Sequence, residues 1–94
     1  MKHAAIYFRV HAVQRLFERK ISEKNVLQAI EKGETIEDYS SEMQEASRLI
    51  LGFQGKHPFH VVISENQETN EVTVITAYTP QPDKWSKDFR SRRA

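Results

Sequence analysis

His11, Arg15 and Arg19 recur every fourth residue near the start of this 94-residue chain, and they are the residues whose types and spacing suit chemistry best. On a helix turning about 100° per residue they fall near 0°, 40° and 80°, so one face carries an imidazole followed by two guanidinium groups. Histidine titrates near neutral pH, as a proton-transfer group should. Guanidinium offers paired donors that match phosphate oxygens. The pattern therefore describes a phosphate-binding stripe with a titratable group at its N-terminal end. The plain alternative is solvation, because any amphipathic surface helix must turn something polar outward and Arg is a good helix former.

The stripe needs an element to carry it, and the pattern predicts two consecutive helices at residues 10–20 and 22–32, the first burying Ala12, Val13, Leu16 and Phe17. Ser22 is placed as N-cap of the second, Ile21 and Val26 as a hydrophobic staple across it, Val26, Leu27 and Ile30 as its buried stripe, and Gly33 as its end. Ahead of them, Ile6, Phe8 and Val10 alternate, as a first strand or an extended lead-in would. Residues 34–39 read as a poor strand or an extended crossing and 40–47 as a polar loop. The period then becomes two: 48–53 and 59–64 form a hairpin turning at 54–58, and 72–79 adds a third strand before Pro80 and Pro82. Trp85 and Phe89 lie four apart, so on a last helical turn they would share a face and anchor the tail.

Helices followed by strands imply an α+β fold, two N-terminal helices packed on one face of an antiparallel β-sheet, with the other face free. If Leu49, Leu51, Phe53, Phe59, Val61 and Ile63 point to the helices, then Arg48, His60, Val62 and Ser64 point away. Parity in the last strand is ambiguous, since both alternating sets are apolar enough to bury. Placing Ile75 and Ala77 against the helices would set Thr76 and Tyr78 beside His60 on the open face. A tyrosine half-buried at a strand end is the plain alternative.

Ninety-four residues make one domain, 1–94, able to bury a core without staples, and 38% apolar residues suit a globular chain. The absence of cysteine excludes disulfides and thiolate metal sites. No apolar run approaches the roughly 20 residues of a membrane span, so a cytoplasmic protein without a membrane partner is the expectation. A net charge of +1 hides an uneven distribution. Lys2, Arg9, Arg15, Arg19 and Lys20 face only Glu18 in the first twenty residues, and a basic tail from about residue 83 holds Lys84, Lys87, Arg90, Arg92 and Arg93 against Asp83 and Asp88. Brought together, the two ends would form a surface for a polyanion such as RNA; left apart, the tail is simply solvated.

His11-Ala12-x-x-Arg15-x-x-x-Arg19-x-Ile21-Ser22, Gly33-Glu34-x-Ile36-Glu37-x-Tyr39, Leu51-Gly52, Pro58-Phe59-His60-Val61-Val62 and Val74-Ile75-Thr76-x-Tyr78 together resemble the domain-of-unknown-function 4258 family in order and spacing. That family is similar to RelE-like toxins and related metal-independent ribonucleases. The resemblance implies a RelE-like ribonuclease fold, a toxin-type endoribonuclease that uses no cofactor, and His11, Arg15, Arg19, His60 and Tyr78 as its functional residues. It also implies RNA as substrate, a cognate antitoxin protein as partner, and the ribosome as a further possible one. Val10 stands where the family often has Ser or Thr, so a helix cap is missing.

The implied reaction is attack of the RNA 2′-hydroxyl on its own phosphate, with His11 and His60 transferring protons, Arg15 and Arg19 holding the phosphate, and Tyr78 positioning the scissile group or stacking a base. Two rivals stand beside it. A non-catalytic RNA- or protein-binding module would need the same cations and aromatics without matched proton donors and acceptors. A metal site built from His57, His60 and His11 is the weaker rival, since His57 and His60 lie three apart around Pro58 with no acidic ligand adjacent.

Overall fold

The computed structural model describes residues 5–39 and 46–93. Lys2 and most of the expected loop at 40–47 lie outside the described residues. The elements are β1 (Ala5–Phe8), α1 (Val10–Arg19), α2 (Glu23–Lys32), β2 (Glu34–Asp38), β3 (Ala46–Gln54), β4 (His57–Asn66) and β5 (Glu71–Tyr78). The strands form one sheet in the order β1-β5-β4-β3-β2. Four of them pair antiparallel, while β1 runs parallel to β5, Ile6 opposite Val72 and Phe8 opposite Val74.

This arrangement corrects the α+β expectation of two helices on an antiparallel sheet, and with it the RelE-like ribonuclease fold that the resemblance implied. Among the described residues the sheet is mixed, has five strands rather than three, starts ahead of the helices, and makes the fold strand-dominated. The two strands that the pattern under-read are short, four and five residues, and β2 is mostly charged. Strands of that kind are set by pairing with a neighbour, and local alternation carries little of it.

α1 lies over β5 and α2 over β3. Ala12, Leu16, Val26, Ala29 and Ile30 pack against Ile50, Phe59, Val61, Ile63, Val72, Val74 and Ala77 in one cluster. Val13 and Phe17, expected in that core, are 43% and 87% exposed, because only Ala12 and Leu16 of α1 point squarely at the sheet. The helix junction is tightly held. Lys20 takes the left-handed conformation at φ 57, its N–H and that of Ile21 close on the Leu16 and Phe17 carbonyls, and Ser22 Oγ accepts from the Asn25 amide at 3.1 Å. At the far end of α2, Gly33 has an ordinary φ of −73, so glycine is required there by space: a Cβ would sit 2.7 Å from the Leu51 carbonyl oxygen.

The parity of β3 is opposite to the expected one. A two-residue turn joins Gln54 to its partner His57, so odd-numbered residues of β3 share a face with even-numbered residues of β4. Ile50 and Gly52 therefore lie with Val61 and Phe59 toward the helices, and Leu49 and Leu51 lie with Val62 and His60 on the other side. In β5 the register slips at Ile75, between the Ile63–Val74 and Val62–Thr76 pairs. This bulge explains why both alternating sets look buriable. Val72 and Val74 face the helices before it, Ala77 does so after it, and Tyr78 stands opposite His60 on the second face.

That second face is covered. Residues 80–93 fold back across it without forming the expected helical turn: Trp85 bridges to Arg92, the Ser86 amide bonds to the Ser91 carbonyl, and Phe89 has φ 62. Ser86 and Asp88 tie this loop internally, through the Ser86 hydroxyl to Asp88 at 2.6 Å and the Arg90 amide to Asp88 at 3.1 Å, and so compete with helix formation. Trp85, 4% exposed, is the anchor. Burying an indole removes about 150–250 Å², worth about 4–6 kcal/mol before ordering costs, against about 0–1 kcal/mol for each exposed ion pair of the tail.

Candidate nucleotide-binding cleft

Where the tail returns to the end of β5 it leaves an open cleft of about 450 Å³ lined by Arg19, Tyr78, Thr79, Gln81, Lys84, Trp85 and Arg92. Three elements supply it. α1 brings Arg19 in its last turn, whose Nη1 donates to the Ala77 carbonyl at 2.6 Å and is thereby fixed against β5. β5 brings Tyr78, and the tail brings Lys84, Trp85 and Arg92.

Arg92 is held from two sides. Its Nε and Nη2 donate to the two Glu37 carboxylate oxygens at 2.8 and 3.1 Å, and its guanidinium carbon lies 4.7 Å above the Trp85 ring. Glu37 also accepts from the Tyr39 hydroxyl. The Arg92 hydrogen bonds hold the Glu37 carboxyl below its ordinary value, outweighing partial burial, whereas burial together with the bond to Glu37 raises the Tyr39 phenol. Arg90 pairs with Glu34 through one nitrogen, its Nε donating to both carboxylate oxygens at 3.0 and 2.9 Å, and Arg93 Nε donates to the Pro82 carbonyl at 2.8 Å. Two of the five tail cations, Arg90 and Arg92, thus dock the tail on β2, and Arg93 ties the tail to itself.

Behind the cleft wall lies His60, 0% exposed. Its ring packs edge-on against Trp85 at 4.4 Å and Tyr78 at 5.3 Å between centroids. The Phe89 carbonyl, 2.9 Å from Nε2, can only accept, so Nε2 carries the hydrogen; Nδ1 of the neutral ring then accepts from the Tyr78 hydroxyl at 3.3 Å. Burial lowers the His60 value below that of ordinary histidine, against the opposing pull of the Phe89 carbonyl and Glu37, and burial raises the Tyr78 phenol.

The structure brings together Arg19, Tyr78, Lys84 and Arg92, with His60 one layer behind. His11 and Arg15 do not line this cleft. Both are exposed on α1, and Arg15 Nη1 meets Glu18 at 3.1 Å. Lys87 is exposed on the tail loop. His60 lies under the tail and not on an open face, because Trp85 and Phe89 of the tail cover it on the second face that simple alternation left empty. His57 is exposed and lines a different cleft, and among the described residues no three His, Cys, Asp or Glu side chains are disposed to hold a metal ion. No helix among the described residues is long and apolar enough to cross a membrane. Glu37 and Tyr39 were missed as working residues. Their signal was their two-residue spacing in an extended segment, which puts both on one face.

The sequence model of a family described as a domain of unknown function, DUF4258, matches residues 8–79. The match takes in α1, the sheet from β2 onward and Tyr78, and stops where the covering tail begins. Searches of curated proteins and of solved structures find no match.

Proposed function

Given that the chain belongs to the domain-of-unknown-function family DUF4258 across residues 8–79, we propose that it is an RNA-binding domain whose ligand phosphate lies in the cleft between the end of α1 and the tail. One observation carries this reading: Arg19 from α1 and Lys84 and Arg92 from the tail, far apart in sequence, converge on one polar cleft beside the Tyr78 hydroxyl. Guanidinium and ammonium groups at a concave site favour phosphate oxygens, and the acidic segment between the basic ends limits indiscriminate binding. Arg19→Ala and Lys84→Ala should each weaken binding of single-stranded RNA and flatten its salt dependence by about 0.7 in slope per lost contact. Arg15→Ala should leave that slope unchanged, since Arg15 lies outside the cleft. Equal slopes for wild type, Arg19→Ala and Lys84→Ala would refute the reading.

Toxin-type endoribonuclease activity is the second reading, favoured by one contact. Tyr78 lines the cleft and donates its hydroxyl to His60 Nδ1, an arrangement in which the phenol oxygen can accept the proton of the RNA 2′-hydroxyl while its own proton passes to the buried imidazole. His11, exposed on α1 and absent from the cleft lining, has no place in this version. Cleavage would persist in chelator, leave 2′,3′-cyclic phosphate ends, and fall by about 10²–10⁴ in Tyr78→Phe with RNA affinity retained. Intact RNA after prolonged incubation with folded wild type, free or with translating ribosomes, would leave the binding domain alone standing.

A further inference from the structure

Arg19 and Thr79 line two clefts at once. On the side away from the tail they border a second space, of about 350 Å³, whose other walls include Lys20, Gln54, His57 and Pro58. Its floor is rigid. Gln54 Oε1 accepts from the Ser22 amide at 2.6 Å and from Asn25 Nδ2 at 3.0 Å, and Gln54 Nε2 donates to the Lys20 carbonyl at 3.1 Å, so one side chain pins the helix junction to the β3–β4 hairpin. Lys20 occupies a left-handed position at φ 57, the kind of site that glycine fills without strain; here it places a cation at the rim.

The order across the surface is therefore the tail-side cleft with Lys84 and Arg92, then Arg19, then the junction cleft with Lys20 and His57. Arg19 donates one N–H to the Ala77 carbonyl, and a guanidinium has five. A single-stranded polynucleotide presents the complementary order of nucleoside, phosphodiester, nucleoside. We propose that the junction cleft is a second nucleotide subsite, so that the protein takes single-stranded RNA of at least two nucleotides, with one phosphodiester on Arg19 between two nucleosides, one in each cleft, and the outer phosphate of the tail-side nucleotide on Lys84 and Arg92. This rests on the reading of the tail-side cleft as an RNA site. It specifies an unpaired strand, because two separate concave seats each need a nucleoside free of its complement.

The test measures affinity for oligouridylates and oligoadenylates of one to six nucleotides and for a hairpin duplex, with the full chain. Affinity should climb steeply between one and three nucleotides, and the duplex should bind more weakly than a single strand of equal length. Lys20→Gly is the sharpest variant, since it removes the cation while relieving the left-handed backbone, so its melting temperature should hold or rise. In it the gain from one to three nucleotides should shrink by about tenfold, the worth of one charge-assisted contact. His57→Ala should reduce the same gain. A wild type that binds a mononucleotide and a trinucleotide equally, with Lys20→Gly unchanged, overturns the second subsite and leaves the first cleft standing. No binding of RNA at any length overturns both. Tighter binding of poly-glutamate than of RNA, lost in Lys20→Gly, gives the groove to an acidic polypeptide and overturns the proposal.

Discussion

At the scale of single residues, His60 is a histidine with no exposed surface and both ring nitrogens engaged, which couples its charge state to the stability of the tail. Its proton affinity in the fold is lowered, chiefly by burial. Above about pH 6.5, the ordinary histidine value, folded and unfolded chains both hold it neutral. As pH falls through that value the unfolded chain takes up a proton that the folded chain accepts only at lower pH, so stability declines across this window. The melting temperature of wild type should therefore drop more between about pH 7.5 and 5.5 than that of His60→Gln, which keeps a donor for the Phe89 carbonyl and does not titrate there. Parallel curves would show that His60 protonates freely in the fold. His60 was legible in the sequence as a residue facing away from the helices, but its burial was not, since that depends on a tail anchored by Trp85 and paired to Glu34 and Glu37, far back in the chain.

Among the elements, α2 packs on β3 with no room for a side chain at Gly52. A Cβ on Gly52 would lie 2.7 Å from both the Ala29 Cβ and the Phe59 ring, so Gly52→Ala must push the helix or the ring aside. It should cost about 1–3 kcal/mol in urea unfolding, as overpacking does, and an unchanged midpoint would show that α2 rides higher on the sheet. Both helices were legible because Ser22, Ile21 and Gly33 are local signals that act within a few residues. Strand parity was not. In β3, Leu49, Ile50 and Leu51 are all buried, so alternation vanishes and the face of each is decided by the two-residue turn between Gln54 and His57. In β5 the bulge at Ile75 shifts the count midway. Arg19, at the last turn of α1, was legible as the end of a basic stripe; that it alone of the stripe reaches the cleft follows from where β5 ends.

For the molecule as a whole, the tail turns a sheet with one exposed face into a three-layered body, and Trp85, the chain's single tryptophan, reports on that layer. Glu37→Gln removes the charge that Arg92 grips while leaving an acceptor for Tyr39. Stability should fall by about 1 kcal/mol, modest because Arg92 is largely exposed, and Trp85 emission should shift to the red as the tail loosens. Emission unchanged in Glu37→Gln would assign docking to the indole alone. The basic ends were legible as a possible common surface, and their meeting is partial: Arg19, Lys84 and Arg92 share the cleft, while Arg90 and Arg93 are drawn into tail contacts.

The parallel pairing of β1 with β5 also orders events in time. A ribosome releases residues 5–8 early, yet their partner in the sheet, Glu71–Tyr78, is made about sixty residues later. Throughout that interval β1 displays unpaired N–H and C=O groups beside Ile6 and Phe8, whose apolar side chains have as yet no core to join. α1, which rests on β5, waits with it, while α2 and the β3–β4 hairpin can settle first. Vectorial synthesis thus leaves β1 adhesive until β5 has emerged, and crowded polysomes would feel that stickiness more than the finished protein does.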